Sequence, residues 1–136
     1  MGPGLLVVLV LMLTAAEVGE TSMPGGLSPV ATDDPGVLNA TRVAEEDFNR
    51  RSNDLFHTAV SNVISAQTQV VAGLMYHLSL VLRTTVCRKA EPRLENCPFH
   101  QDPQYAKRTT CTYKVWYRPW IGRMEAHSAE CSGVLK

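Results

Sequence analysis

The sequence lacks any excess of charge. Its 136 residues include 13 Lys or Arg and 13 Asp or Glu, and no run of like charge or internal repeat is visible. A surface for nucleic acid or anionic lipid usually requires a basic patch or tail. We therefore expect no nucleic-acid partner. The 45% hydrophobic and 19% charged content is instead typical of one globular domain.

Metal and catalytic motifs are also missing. No Cys-x-x-Cys or His-x-x-x-His pair occurs, although zinc ligands usually come at such close spacing. No nucleophile and base stand in a recognisable arrangement. The sequence therefore predicts no metal, no cofactor and no enzyme activity. The isolated cysteines and histidines are Cys87, Cys97, Cys111 and Cys131, and His57, His77, His100 and His127.

The N-terminus has no charged side chain over residues 1–16 and carries an apolar run over residues 5–13. This run is too short to span a bilayer comfortably and is typical of a signal peptide. We assign residues 1–19 to it, with cleavage between residues 16 and 22; an uncleaved anchor is the alternative. The mature chain is then secreted and has no membrane contact, and its cysteines can pair outside the cytosol. Four cysteines allow three pairings.

Residues 20–35 are rich in Gly, Pro, Ser, Thr and Asp and show no periodicity. They predict a flexible N-terminal arm ahead of a domain over residues 36–136. The domain starts with a helix, since Asp34 and Pro35 form a good helix start. Apolar residues then recur at three- and four-residue spacing, which indicates four or five amphipathic turns. These apolar positions are Val37, Ala40, Ala44 and Phe48.

Two features flank this helix pattern. Asn39-Ala40-Thr41 is a sequon for N-glycosylation in a secreted chain, provided that Asn39 faces water. Ser52-Asn53-Asp54 ends the helical pattern with residues that favour turns.

Alternating apolar and polar residues then predict two long strands joined at a glycine. The apolar face of the first contains Phe56, Thr58, Val60, Asn62 and Ile64, and that of the second contains Leu74, Tyr76, Leu78, Leu80 and Leu82. Residues 88–107 are predicted to be a loop, and residues 108–117 and 121–131 two further strands. One helix and one sheet in two layers would bury both apolar faces.

The joint between the two long strands is unusually apolar. It has the sequence Gln69-Val70-Val71-Ala72-Gly73, which we call the first loop. Two interpretations are open: its valines belong to the second strand and are buried, or they form an exposed apolar edge for a partner.

The same two interpretations apply to Pro119-Trp120, the second loop, where proline interrupts the strand pattern. Trp120 is either part of the core or exposed at a hairpin tip.

The first loop resembles the Gln-x-Val-x-Gly loop of the cystatins, secreted inhibitors of papain-like cysteine proteases. Gly25, the two loops and the four cysteines follow the family's order, with a spacing similar to that of type 2, cystatin C-like members. The resemblance implies an α+β fold, the cystatin fold, in which an antiparallel sheet of four to five strands wraps around one long α-helix. It also implies the disulfides Cys87–Cys97 and Cys111–Cys131.

The implied function is reversible, tight-binding inhibition of papain-like proteases such as cathepsins. The arm and both loops would fill the active-site cleft together as a wedge, with no catalytic residue in the inhibitor. Met23-Pro24 departs from the family's bulky apolar pair before the glycine. A binding or host-defence protein that has the cystatin fold but inhibits no protease is therefore the alternative. The implied protease-binding residues are Gly25, Gln69, Val70, Val71, Ala72, Gly73, Pro119 and Trp120.

Asn53 resembles a second site, which some cystatins use against the asparaginyl endopeptidase legumain. Because cystatins can exchange domains, we expect mainly monomers with a domain-swapped dimer as a second state. An unrelated small disulfide-bridged domain is a further alternative.

Overall fold

The computed structural model describes residues 25–92 and 95–135. The proposed signal peptide and Met23-Pro24 lie outside this part of the chain. Within it, one helix packs on a five-stranded antiparallel sheet whose strands follow sequence order. This arrangement confirms the predicted α+β class. The elements are β1 (Leu27–Pro29), α1 (Pro35–Arg51), β2 (Phe56–Val71), β3 (Gly73–Arg88), β4 (Arg108–Arg118) and β5 (Arg123–Leu135).

The helix α1 begins where the sequence indicated. The Asp34 carboxylate accepts a hydrogen bond of 2.9 Å from the Gly36 N–H, which satisfies a donor that the helix leaves free. Pro35 occupies the first turn, where its missing N–H is harmless. The helix ends at Arg51, and the Ser52 N–H donates to the Phe48 carbonyl at 3.0 Å.

The core lies between α1 and the inner face of β3 and β4. From Leu74 to Leu82, every second residue of β3 points inward, as predicted. Burying one leucine side chain stabilises a fold by about 1.5–3 kcal/mol, so this row is a main source of stability. The buried residues of α1, β3 and β4 include Val37, Ala40, Ala44, Tyr76, Leu78, Leu80, Leu82, Tyr113 and Val115.

The predicted inner face of β2 is wrong in its second half. Asn62 is exposed and Ile64 is 53% exposed, whereas Val63 and Ala66 pack against the core. The pairing of β2 with β3 shifts register just before Asn62 and again just after Val63. Each such bulge adds a residue and moves the following side chains to the other face, so strict alternation fails there.

The strand β1 was not predicted, because residues 20–35 were interpreted as an arm without regular structure. Leu27–Pro29 pairs antiparallel with β2, and Leu27 lies opposite Gln69. Three residues are too few to show a periodic pattern, and a proline in the stretch argues against a strand. Pro29 is tolerated here because β1 is an edge strand.

Both disulfides have the pairing that the resemblance implied. Cys87–Cys97 joins the end of β3 to the following loop, and Cys111–Cys131 joins β4 to β5. In the described ranges, no helix is long and apolar enough to cross a membrane.

Candidate functional site

The order of the strands brings the two loops to the same end of the sheet. β2 and β3 form one hairpin and β4 and β5 another, while β3 and β4 are neighbours. Leu74, at the start of β3, lies opposite Tyr117, near the end of β4. The turns of the two hairpins are therefore adjacent.

The first loop is a tight turn around Ala72, with Val71 opposite Gly73 in the hairpin register. Val70 is 63% exposed and Val71 is also exposed. The buried interpretation of these valines is therefore wrong, and an apolar edge faces solvent.

Both the backbone conformation at position 73 and the lack of room for a side chain there require a glycine. Its φ is +93°, a value that side chains with a Cβ rarely adopt, and an added Cβ would lie 2.3 Å from the Tyr117 carbonyl oxygen. Because that atom belongs to the backbone of β4, any side chain would push the two hairpins apart.

Trp116 fixes the first loop from β4. Its Nε1–H donates to the Ala72 carbonyl oxygen at 2.7 Å. The Arg118 guanidinium lies 4.4 Å from the centre of the indole and forms an ion pair with Glu125. The alternating pattern predicts Trp116 in a strand but indicates no role for it, since its partner is defined only by the register between β3 and β4.

The second loop lies in a short 3-10 turn, Pro119–Ile121, which Gly122 closes at a φ of 60°. Trp120 is 61% exposed, so the interpretation of this residue as part of the core is wrong. The last strand begins at Arg123, not at residue 121, and Ile121 is exposed in the turn.

Gly25 lies beside the first loop. It has a φ of +86°, and its carbonyl accepts a hydrogen bond of 2.8 Å from Gln69 Nε2. The other end of the Gln69 amide, Oε1, is 2.8 Å from His77 Nε2. Burial lowers the pKa of His77, and Lys114 opposite it lowers this pKa further.

Asn53 lies away from these loops. It is exposed in the connection between α1 and β2, whose first residue, Phe56, pairs with Arg88 at the far end of β3. Lys89 Nζ donates to the Ser52 carbonyl at 2.7 Å, and Lys107 Nζ lies 3.2 Å from Asp54 Oδ2. The turn that carries Asn53 is thus held from both sides.

Asn39 is exposed on α1, which satisfies the condition set for its glycosylation. In residues 25–92 and 95–135, no group of three His, Cys, Asp or Glu side chains is arranged to hold a metal ion.

The chain resembles known proteins over most of its length. A family model described as "Cystatin domain" matches residues 25–120. Cystatin-2 of Crotalus adamanteus is 37% identical, over 95% of this chain and 96% of its own length. Cystatin-C of Homo sapiens is 32% identical, over 93% and 91%.

A solved structure supports the same relationship. Dimeric human cystatin F superposes with a TM-score of 0.75 at 32% sequence identity, covering 88% of this chain and 95% of that one. Cystatin-2 and cystatin-C are type 2 cystatins, the subgroup that this chain resembled in its sequence motifs. The paired hairpin turns, the two disulfides and these matches together establish that the chain belongs to the cystatin family.

Proposed function

We propose that this chain inhibits papain-like cysteine proteases, such as cathepsins, reversibly and tightly. The wedge consists of Gly25, the first loop (residues 69–73) and the second loop, Pro119-Trp120. As a cystatin, the chain belongs to a family of cysteine protease inhibitors and is not an enzyme. The main observation that supports inhibition by this wedge is the exposed apolar edge formed by two adjacent hairpin turns.

The exposed side chains of this edge fit the binding of a protein cleft. Val70, Val71 and Trp120 are exposed large apolar residues, and such residues grouped at one place usually mark an interaction site. An aromatic side chain can bury about 150–250 Å² and often contributes a large part of the binding energy. Trp120 is therefore the expected anchor.

The backbone of the first loop supplies a narrow leading edge. Ala72 and Gly73 have almost no side-chain bulk, so the turn can approach the catalytic cysteine and histidine of a protease closely. A tight turn of this kind does not resemble an extended substrate strand. We therefore expect steric blocking without cleavage, and reversible binding.

The test is a titration of papain, whose active sites have been counted, with the purified, oxidised mature chain. We expect a stoichiometric loss of peptidase activity that is recovered on competition, and no effect on trypsin as a control of another protease class. A folded, correctly bridged sample that leaves papain active at micromolar excess would refute the proposal. It would favour the alternative of a cystatin-fold binding or host-defence protein without protease inhibition.

Legumain inhibition through Asn53 is a second candidate function. The observation that favours it is an exposed asparagine in a turn that Lys89 and Lys107 hold. Asn53→Ala should remove inhibition of legumain and leave inhibition of papain unchanged. Equal inhibition of legumain by the wild type and the variant would exclude Asn53 as the site.

Secretion and modification form part of the proposal. The type 2 relatives and the two disulfides favour an extracellular protein. Asn39 is a candidate for glycosylation, which a mass shift on treatment with a glycosidase would reveal and Asn39→Gln would remove.

The oligomeric state belongs to the same proposal. We expect a monomer as the main species, with a domain-swapped dimer formed by exchange at the first loop. Size-exclusion chromatography of the purified chain tests this expectation.

A further inference from the structure

We propose that His77 is a positioning residue that holds the N-terminal arm in the wedge, acting through the side chain of Gln69. The inference rests on the proposed function for its effect on protease binding. It concerns a hydrogen-bonded series of three residues, from His77 to Gln69 to Gly25. Neither end of this series was suggested by the sequence as a partner of Gln69.

The N-terminal arm is only weakly attached to the sheet. β1 has only three residues, and Leu27 is half exposed. Val30, which follows β1, packs against the core, so the residues before it, which one short ladder holds, are the part that opens easily. The hydrogen bond from Gln69 Nε2 to the Gly25 carbonyl is an additional attachment beyond the end of β1.

The direction of the Gln69 amide decides whether its side chain can bind Gly25. A glutamine side chain can bring either its NH2 group or its oxygen towards a neighbour. Only the NH2 group can bind the Gly25 carbonyl, because two oxygen acceptors repel each other. The Gln69 side chain must therefore keep its Oε1 on the opposite side.

His77 selects this orientation of the Gln69 amide. Its Nε2 lies 2.8 Å from Gln69 Oε1, and since that oxygen has no proton, the imidazole must be the donor. The ring is half buried between neighbouring strands and faces Lys114 directly across β3 and β4. An N–H held in this place fixes Oε1 and so turns the NH2 group of Gln69 towards Gly25.

The consequence is a link between the sheet and the arm. With His77 present, Gly25 and the first loop keep one relative position before a protease binds. Holding a flexible segment in its bound geometry reduces the entropy lost on association. Loss of the imidazole donor should therefore weaken protease binding even though His77 itself need not touch the protease.

The experiment uses the full mature chain and compares His77→Phe, which keeps a ring but has no donor, with His77→Gln, which restores a side-chain N–H. Amide hydrogen exchange of residues 26–28 and 30 reports the attachment of the arm without any protease. The dissociation rate from papain reports the effect on function. His100→Phe is the matched control, because His100 packs against Phe56 and Tyr105 instead of Gln69.

We expect His77→Phe to speed exchange at these amides and dissociation from papain by about three- to tenfold, the loss of one hydrogen bond. His77→Gln should recover at least part of both effects, and His100→Phe should leave both unchanged. Gln69→Glu, which removes the NH2 donor, should speed the exchange at least as much as His77→Phe.

Wild-type exchange rates in His77→Phe would overturn the inference, even if Gln69→Glu exchanges faster, because the arm would then be held without the imidazole donor. Faster exchange with unchanged dissociation would overturn its functional half. A wild-type chain that fails to inhibit papain, while His77→Phe still speeds exchange, would refute the proposed function and support the positioning role alone.

Discussion

Trp120 combines a large apolar surface with high exposure, at 61%. A side chain that is exposed in the free protein contributes little to folding, and an anchor at an interface contributes much to binding. Trp120→Ala should therefore weaken papain binding by at least about 1–2 kcal/mol. The melting temperature of the Trp120→Ala variant should stay close to that of the wild type.

Inhibition titrations and thermal unfolding of the same preparation test this expectation. Val115→Ala, at a fully buried position of β4, is the control and should show the reverse pattern, with reduced stability. Equal losses of binding and stability in Trp120→Ala would show that Trp120 belongs to the core.

A comparison of Gly73 with Gly122 separates two costs of adding a side chain: the strain of a positive φ and the steric clash with a neighbouring strand. Both have positive φ, but an added Cβ at Gly122 meets nothing within 4 Å, whereas at Gly73 it meets the Tyr117 carbonyl at 2.3 Å. Gly122→Ala should show only the conformational cost, about 1 kcal/mol. Gly73→Ala should lower the free energy of unfolding by more than Gly122→Ala does, and it should also weaken papain inhibition.

Urea unfolding of the two variants gives the difference in free energy. If Gly73→Ala is no less stable than Gly122→Ala and inhibits papain as well as the wild type, then the close contact between the hairpins has no role.

At the scale of elements, the sequence predicted those segments whose pattern is long and uninterrupted. α1 and the first part of β3 each show one uninterrupted period, so the apolar residues that they bury follow from it. The burial of Glu45 and Asp47 on α1, and the end of β3 at Arg88, do not follow from these patterns. β2 has the same kind of pattern, but its bulges depend on pairing with β3 and leave no mark in the alternation. β1 becomes a strand only because β2 is present beside it.

The candidate site divides in the same way. The two loops and Gly25 were identified because each carries a local motif of the family. His77 and Trp116 were not, since their partners Gln69 and Ala72 are defined by strand register. Tertiary contacts of this kind cannot be derived from a single sequence.

The contact between α1 and β4 includes a buried polar pair. The Tyr113 hydroxyl donates to Asp47 Oδ2 at 2.9 Å, and both residues are almost fully buried. Burial and the Asp47 carboxylate raise the pKa of Tyr113. Tyr113→Phe leaves that carboxylate with its ion pairs to Arg50 and Arg51 but without this donor. We expect a loss of about 1–3 kcal/mol of stability.

Urea unfolding measures this loss, and papain inhibition should not change because the pair lies inside the fold. Tyr117→Phe, at a partly exposed tyrosine of β4, is the control. Equal stability of Tyr113→Phe and the wild type would mean that the hydrogen bond makes no net contribution.

For the whole molecule, the long hairpins separate two regions of proposed function. β3 has 16 residues, so its ends lie at most roughly 50 Å apart. The wedge is at its beginning and the turn with Asn53 is near its end. The disulfide Cys87–Cys97 belongs to the second region, where the neighbouring Lys89 holds Ser52.

Removal of this bridge should therefore affect the two regions differently. Replacing Cys87 and Cys97 by serine opens a loop of ten-residue separation and should lower stability by about 2–3 kcal/mol. Under conditions where the variant stays folded, papain inhibition should remain near the wild-type value, because the β2–β3 and β4–β5 turns do not depend on this bridge. Inhibition of legumain should weaken, because the turn that presents Asn53 loses part of its support. Parallel titrations of papain and legumain test this separation, and an equal loss against both proteases would show that the two ends of the sheet are coupled.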